Sequence, residues 1–463
     1  MPDPTAISTP SPDDPADIKR WEHTKLRRRM LCGAWSSDAR QRIKRQLGAV
    51  REDAIRDPEL SSNPFASICR ELAVLYNVEP KIQHPDDERA TETMNGLLQS
   101  AGWSPRMQSV QRKIVGLREM LLQPYVSDKG ELRIRPVNPD HVVGEGRPDR
   151  PDQPAMLKEL RHRTIGDRSV WTWDVYDLRG DAPRYRVLDD DGRDVTQQVH
   201  GRLFDGDRYP WRYADGSAYI PYVLYHAELG DSLWDPYEGL ELVDGTLSIA
   251  VLRSHFAKSV RDASWAQRWA VGVRIPTDDV EGRSTVVADP STIVMFETSE
   301  EVQGGAQIGQ WESPVDPSSL YDAIQAWARD LAQWAGLSPS DFARISGDPR
   351  SGYALSLTSE GKKAAARKFE PAALEGDRSL MRMVAAMYTA ATPGTLPETG
   401  WVVEYRSLPP SPAEVREHRQ HVRELLAEGL MTRVQAYREM HGVTEADARA
   451  ALRQIDAERT SGI

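Results

Sequence analysis

Two cysteines in 463 residues, Cys32 and Cys69, stand far apart and form no CxxC pair. That excludes a disulfide-stapled scaffold and fits a reducing compartment. No apolar run approaches the roughly 18 residues that a bilayer-spanning helix needs, so no membrane partner is expected. Hydrophobic residues make up 39% of the chain and mean hydropathy is −0.57. Both are low for one compact core at this length. Several subdomains are expected, with some surface buried only against neighbours. The formal net charge of −11 argues against a protein that grips nucleic acid by counterion release, though not against one past which nucleic acid slides. Residues 1–17, rich in Pro, Asp and Ser, read as a disordered arm rather than a signal peptide.

Catalytic signatures are equally scarce. There is no GxSxG elbow, no P-loop, no GxGxxG and no HExxH. Three fragments invite a chemical reading, and a bland one outweighs it each time. His418 and His421 sit three apart on a predicted helix, as a metal pair can, but without a companion carboxylate–histidine cluster they read as a surface helix. Asp189-Asp-Asp-Gly192 resembles half a calcium loop without the distal bidentate Glu and reads as a β-turn. Tyr225 and His226, followed by Glu228 and Asp231, form a conceivable acid–base set, and more simply the end of a strand. No enzyme activity, cofactor or metal is expected.

What the chain does contain is architecture. Residues 18–57 are helical in character, and the basic run Lys25-Leu-Arg-Arg-Arg29 within them reads as a solvated helix face, with a phosphate or partner contact as the alternative. Further helices are expected over 64–76 and 107–122. From Leu132 the apolar period becomes two, through 132–137, 170–176, 185–188 and 219–225, which predicts an antiparallel meander. Helix returns at 237–268. Short strands around 273–275, 285–287, 293–296 and 308–311 then make a small β module. Asp316-Pro317 is a helix start. Leu320, Ile324, Trp327, Leu331 and Trp334 recur on one helical face, and Gly336 can end the helix. A loop rich in turn formers, 337–352, leads to a long helix over 353–387 that Pro371 should kink. One strand, 401–405, precedes an all-helical tail with a capping box at Thr432-Arg-Val-Gln435. Lys362, Lys363, Arg367 and Lys368, with Arg344 and Arg350, lie beside Asp341, Asp348 and Glu360. Such a mixed-sign surface touches phosphates weakly, or is a solvated helix face.

This order of elements resembles the tailed-bacteriophage portal proteins. The phrases that carry the likeness are 63–80, an early helix running into a Pro-terminated turn; 130–142, Gly-Glu-Leu-Arg-Ile-Arg-Pro-Val-Asn-Pro-Asp-His-Val; the borders Gly336-Leu-Ser-Pro-Ser-Asp-Phe and Ser351-Gly-Tyr-Ala-Leu; and the tail from Glu424 through Gly429 to Glu458. The resemblance implies an α+β, portal-like multi-domain subunit. After the arm, 1–17, come an α/β wing, 18–236, a first stem helix, 237–268, and a clip, 269–315. A second stem helix, 316–336, a tunnel loop, 337–352, the long kinked helix and strand, 353–409, and a helical crown, 410–463, complete it. It further implies a ring, typically of twelve subunits, at one capsid vertex of the virion, assembled in the host cytoplasm. Expected partners are double-stranded DNA passing through the channel, the terminase large subunit, a head–tail connector, the major capsid protein and scaffold. Arg344, Arg350, Lys362, Lys363 and Arg367 become DNA-channel candidates, Gly336, Gly347 and Gly352 loop hinges, and Pro371 the kink. The alternatives are another ring-forming capsid or neck protein and, from a different class, a hydrolase fused to a virion scaffold, for which no nucleophile–base pair is evident.

Overall fold

The computed structural model describes residues 12–47, 58–180, 182–200, 209–235, 240–264, 268–271, 273–274, 297–298, 307–310, 316–337, 352–392, 394–405, 412–441 and 445–460. The fold is α+β. Two helices, α1 (Pro15–Cys32) and α2 (Ser36–Leu47), open it, followed by α3 (Pro64–Leu72). Asp14 and Asn63 cap α1 and α3 by accepting from Ala16 N–H and Ala66 N–H, each with proline in the first turn. Strand β1 (Lys81–Gln83), α4 (Glu88–Ser100) and α5 (Trp103–Leu117) lead into β2 (Glu119–Val126) and β3 (Leu132–Val137). The helix expected over 107–122 therefore stops at Leu117. Arg118 turns the chain with φ +76, and 119–126 is a strand. Its run of apolar residues is buried on both faces, a pattern that periodicity alone does not tell from helix.

The single meander expected from sequence is divided between two sheets: 170–176 and 185–188 fall in a four-stranded antiparallel sheet in sequence order, β4 (Val142–Gly146), β5 (Pro154–Ile165), β6 (Arg168–Asp177) and β7 (Arg184–Asp189), whereas 132–137 and 223–225 belong to another. A short helix, α6 (Thr196–His200), follows. Strand β8 (Val223–His226) joins β2 and β3 in a separate three-stranded sheet, ordered β3-β2-β8. Only 223–226 of the expected strand 219–225 is extended pairing.

The basic run is not a simple solvated face. Arg27 is buried, Arg28 pairs with the buried Asp140 at 2.8 Å, and Arg29 grips Asp38 with two bonds of 2.9 and 2.7 Å. These arginines hold α1 in place, alongside Trp21, whose indole N–H donates to Val142 O at 3.0 Å while its ring stacks on Trp173.

After these elements come α7 (Glu241–Ser264), β9 (Arg268–Val271), β10 (Val273–Arg274), β11 (Glu297–Thr298), β12 (Gln307–Gln310) and α8 (Pro317–Trp334). Strand β9 pairs with β12 and β10 with β11, both antiparallel, so the module closes first strand to last. The strands expected at 285–287 and 293–296 lie outside the described residues. Helix α9 runs from Gly352 to Ala391 over 40 residues with Pro371 inside it. That proline offers no amide to the Arg367 carbonyl. Strand β13 (Val402–Glu404) pairs antiparallel with β1, Lys81 opposite Glu404 and Gln83 opposite Val402. The tail is α10 (Pro412–Ala427), α11 (Arg433–His441) and α12 (Glu445–Thr460). The capping box is reciprocal: Gln435 N–H donates to Thr432 Oγ1 at 3.2 Å, and Thr432 N–H to Gln435 Oε1 at 2.9 Å.

The main core lies where α9 crosses β2 and β8 and meets α3, α4 and α5, with Leu380, Met381, Val384 and Ala385 at its centre. Within it sits Asp377, fully buried. Its Oδ1 accepts from Tyr225 at 2.8 Å, and its Oδ2 from Tyr76 at 2.9 Å and Tyr405 at 2.6 Å. The phenols come from the segment after α3, from β8 and from the end of β13. One carboxylate thus ties three distant parts of the chain to the long helix. Burial pushes the Asp377 carboxyl up to about 6, against the pull of the three phenols. Gly376 makes room for this. A Cβ there would lie 2.5 Å from the Tyr225 ring.

Two outcomes follow from this packing. Asp377 holds its proton more tightly folded than unfolded, so its ionisation destabilises the fold as pH rises between about 4 and 6, by about 3 kcal/mol in all. The stability difference between wild type and Asp377→Asn, measured by denaturant unfolding, is expected to change across that window and level off above pH 7; a constant difference would contradict the clamp. Alanine substitution should also change sign with place. Gly96, in α4 with nothing within 4 Å of its absent Cβ, should gain about 0.5–1 kcal/mol as Ala. Gly376→Ala should lose about 1–3 kcal/mol through the Tyr225 ring.

Candidate functional site

Helices α7 and α8 run antiparallel, since their contacts climb one helix as they descend the other. Gly245 lies against Leu331, Ile249 packs with Ile324 and Ala328, and the Phe256 ring meets Tyr321 at 5.9 Å. Contact is close because residue 245 has no side chain: a Cβ there would fall 2.4 Å from Leu331 Cδ2. Asp316 starts α8 by accepting from Ser318 N–H at 3.1 Å and Ser319 N–H at 3.2 Å, and the Ser318 and Ser319 bonds draw its carboxyl down to about 2.

Gly336 ends α8 as its sequence position suggests. At φ +81, its N–H bonds Gln333 O and the Leu337 N–H bonds Ala332 O, both at 2.9 Å, with the Leu337 side chain buried. This is the Schellman arrangement, and it fixes the direction in which the chain leaves the helix. Gly352 is the first residue of α9. Between them, Gly347, Arg344 and Arg350 lie outside the described residues.

The single apolar stripe expected on α8 is divided in two. Ile324 and Leu331 face α7, while Trp327 and Trp334, one heptad apart, are 49% and 56% exposed, and Tyr321 is 47% exposed. The reason lies in the helix repeat: steps of three and four keep residues within a wide band, and one partner helix covers only part of it.

The cationic cluster on α9 is likewise only partly available. Lys362 Nζ pairs with Glu71 Oε2 of α3 at 2.7 Å. Lys363 is half-buried and has a partner of its own. Lys368 reaches Glu228 at 3.2 Å. Arg367 is exposed. Of the positions named from sequence, then, Arg367 is the described one that presents its charge outward without an assigned ion pair, and Lys362 is a tie between helices.

The remaining sequence candidates have partners elsewhere in the fold or lie on its surface. Tyr225 is committed to Asp377, and Glu228 accepts from Arg118 at 2.9 Å. Burial lowers the His226 imidazole below its ordinary range. Asp189 Oδ1 accepts from Asp191 N–H and Arg193 N–H, as a turn requires. His418 and His421 lie on the exposed face of α10 with Glu417 and Glu424.

Sequence reading missed a cleft of about 650 Å³ between α1, α5, the turn after β8, the end of α8 and the first half of α9. Phe65, Val115, Leu242, Trp334 and Phe369 form its apolar walls, and Arg27, Arg118, Glu228, Asp235 and Lys368 its charged rim and floor. A signal existed: Trp21, Thr24, Arg27 and Met30 are all buried and spaced by three, which sets Arg27 on the inward face of α1.

No protein-family model and no curated protein matches the chain. Among solved structures it is similar to a chain in the neck of a native gene transfer agent particle computed with C12 symmetry, at 13% identity and TM-score 0.43. A chain in the virion of the native particle gives 14% and 0.41, and one in the neck of the empty particle computed with C6 symmetry 14% and 0.43. In each case the match covers 82% of this chain and 90% of the other.

Proposed function

We propose that this chain is the subunit of a portal-type ring at one vertex of a phage-like capsid, the passage through which double-stranded DNA is packaged and ejected. The observation that carries this reading is the central sequence of elements. Antiparallel helices α7 and α8 bracket a small β module closed first strand to last, a glycine-capped exit follows, and a 40-residue helix returns into the wing core. In such a ring, the β module at 269–315 is the outer docking face for the terminase large subunit and later for a head–tail connector. The segment 337–352 faces the channel, and the wing and crown meet the major capsid protein and scaffold. The role is structural rather than catalytic, exercised in the virion after assembly in the host cytoplasm.

Two physical features support it. Trp327 and Trp334 are large, apolar and half exposed on α8, and a second copy would cover them. The net charge of −11 lets a polyanion pass without adhering. Electron microscopy and native mass measurement of the purified chain should show rings with a central channel, near twelve copies. A defined small oligomer with no channel would overturn the reading. The double variant Trp327→Ser/Trp334→Ser should keep its helical circular dichroism while losing at least tenfold of the ring fraction.

A further inference from the structure

The cleft beside α1 has a charge arrangement that the ring does not use. Arg27 is 4% exposed, and its guanidinium lines the cleft. Its Nη1 has one long bond, 3.5 Å, to Leu117 O, and its Nη2 is buried without a hydrogen-bond partner. The carboxylates that act on it through space are Glu119 and Asp235, and each is held by another arginine. Glu119 takes Arg20 at 3.1 Å and Asp235 takes Arg118 at 3.0 Å. Glu228, the other acid at the cleft, already has both Arg118 and Lys368. Burial and the neighbouring Arg118 make the Arg27 cation uncomfortable, lowering its affinity for its proton. Burying a cation without a counter-charge is costly, so an anion placed here would relieve an existing penalty rather than create one.

We propose that this cleft is a binding site for an amphipathic carboxylate, its anionic group on Arg27 and its aryl or alkyl body between Phe65, Leu242, Trp334 and Phe369. The volume suits a small organic molecule, and apolar walls converging on a few polar groups are the usual make-up of such sites. The unpartnered Nη2 and weakly held Nη1 of Arg27 are donors of the kind that a carboxylate matches. Because Trp334 and Gly336 form one wall and Gly361 to Phe369 another, a ligand here would clamp the end of α8 to α9.

The probes are 4-phenylbutyrate, its neutral amide and inorganic phosphate, titrated calorimetrically into the purified full chain. One phenylbutyrate per chain is expected, with the amide and phosphate each at least tenfold weaker. Arg27→Met should weaken phenylbutyrate at least tenfold. If that variant does not fold, Ala364→Trp provides a second test, since Ala364 is an exposed residue at the rim. It should block the cleft and abolish binding while leaving the melting temperature within a few degrees. Equal binding of the amide, equal binding of phosphate, unchanged binding in either folded variant, or no binding at millimolar ligand would each overturn the proposal.

Discussion

The main core depends on a carboxylate placed where a charge is least welcome. Asp377 is fully buried in the middle of a helix, and it stays there because three phenols converge on it from three separate stretches of chain. Phenol groups are suited to this: each carries a donor at the tip of a large apolar body, so the same side chain fills the core and satisfies the acid. Tyr76 extends the arrangement by edge-to-face contacts with Trp103 and Tyr405. Such a network discriminates between packings, because any register of α9 but one leaves an acid buried alone.

A second charged centre does the same work for the two sheets. Glu159 on β5 is buried, yet burial is more than offset by Arg135 from β3 and Arg161, with Tyr222 adding a bond, and its carboxyl ends below the ordinary range. Arg135 holds Gln123 of β2 as well. The four-stranded sheet and the three-stranded sheet are therefore joined through guanidinium groups rather than through shared strands. Helices α7 and α8 follow another rule. They meet through Gly245, aliphatic contacts and the Phe256–Tyr321 pair and leave Trp327 and Trp334 outward, so polar ties concentrate in the main core and between the sheets while exposed apolar surface lies on the helix pair.

Much of this was legible in the residues. Asp316-Pro317, Gly336, Thr432 to Gln435 and the alternating strands 132–137 and 170–176 are local signals, and local chemistry decides them. What escaped was decided by distance. Strand β2 looks helical until β3 and β8 are known to pair with its edges and other elements, α9 among them, to pack on its faces. The run Lys25 to Arg29 looks solvated until Asp38, Asp140 and the floor of the cleft are brought to it. Asp377 lies in an unremarkable helical stretch, and nothing near it in sequence names Tyr76, Tyr225 or Tyr405. The same holds for Lys362, whose partner Glu71 belongs to a helix nearly three hundred residues away. The loop candidates Arg344, Gly347 and Arg350 rest on sequence alone.

The pairing of β1 with β13 sets an order of events during synthesis. Lys81 to Gln83 leave the ribosome about three hundred residues before their partners Val402 to Glu404. Tyr76 waits almost as long for Asp377, and Tyr405 follows Asp377 by 28 residues. Contacts of such separation form last, because loop-closure entropy must be overcome before they contribute. Helices α3 to α5 therefore spend most of translation with their inner face unsealed, dependent on local helix signals and on whatever in the cell shields nascent apolar surface. A strand of three residues, Val402 to Glu404, is what completes a layer begun some three hundred residues earlier.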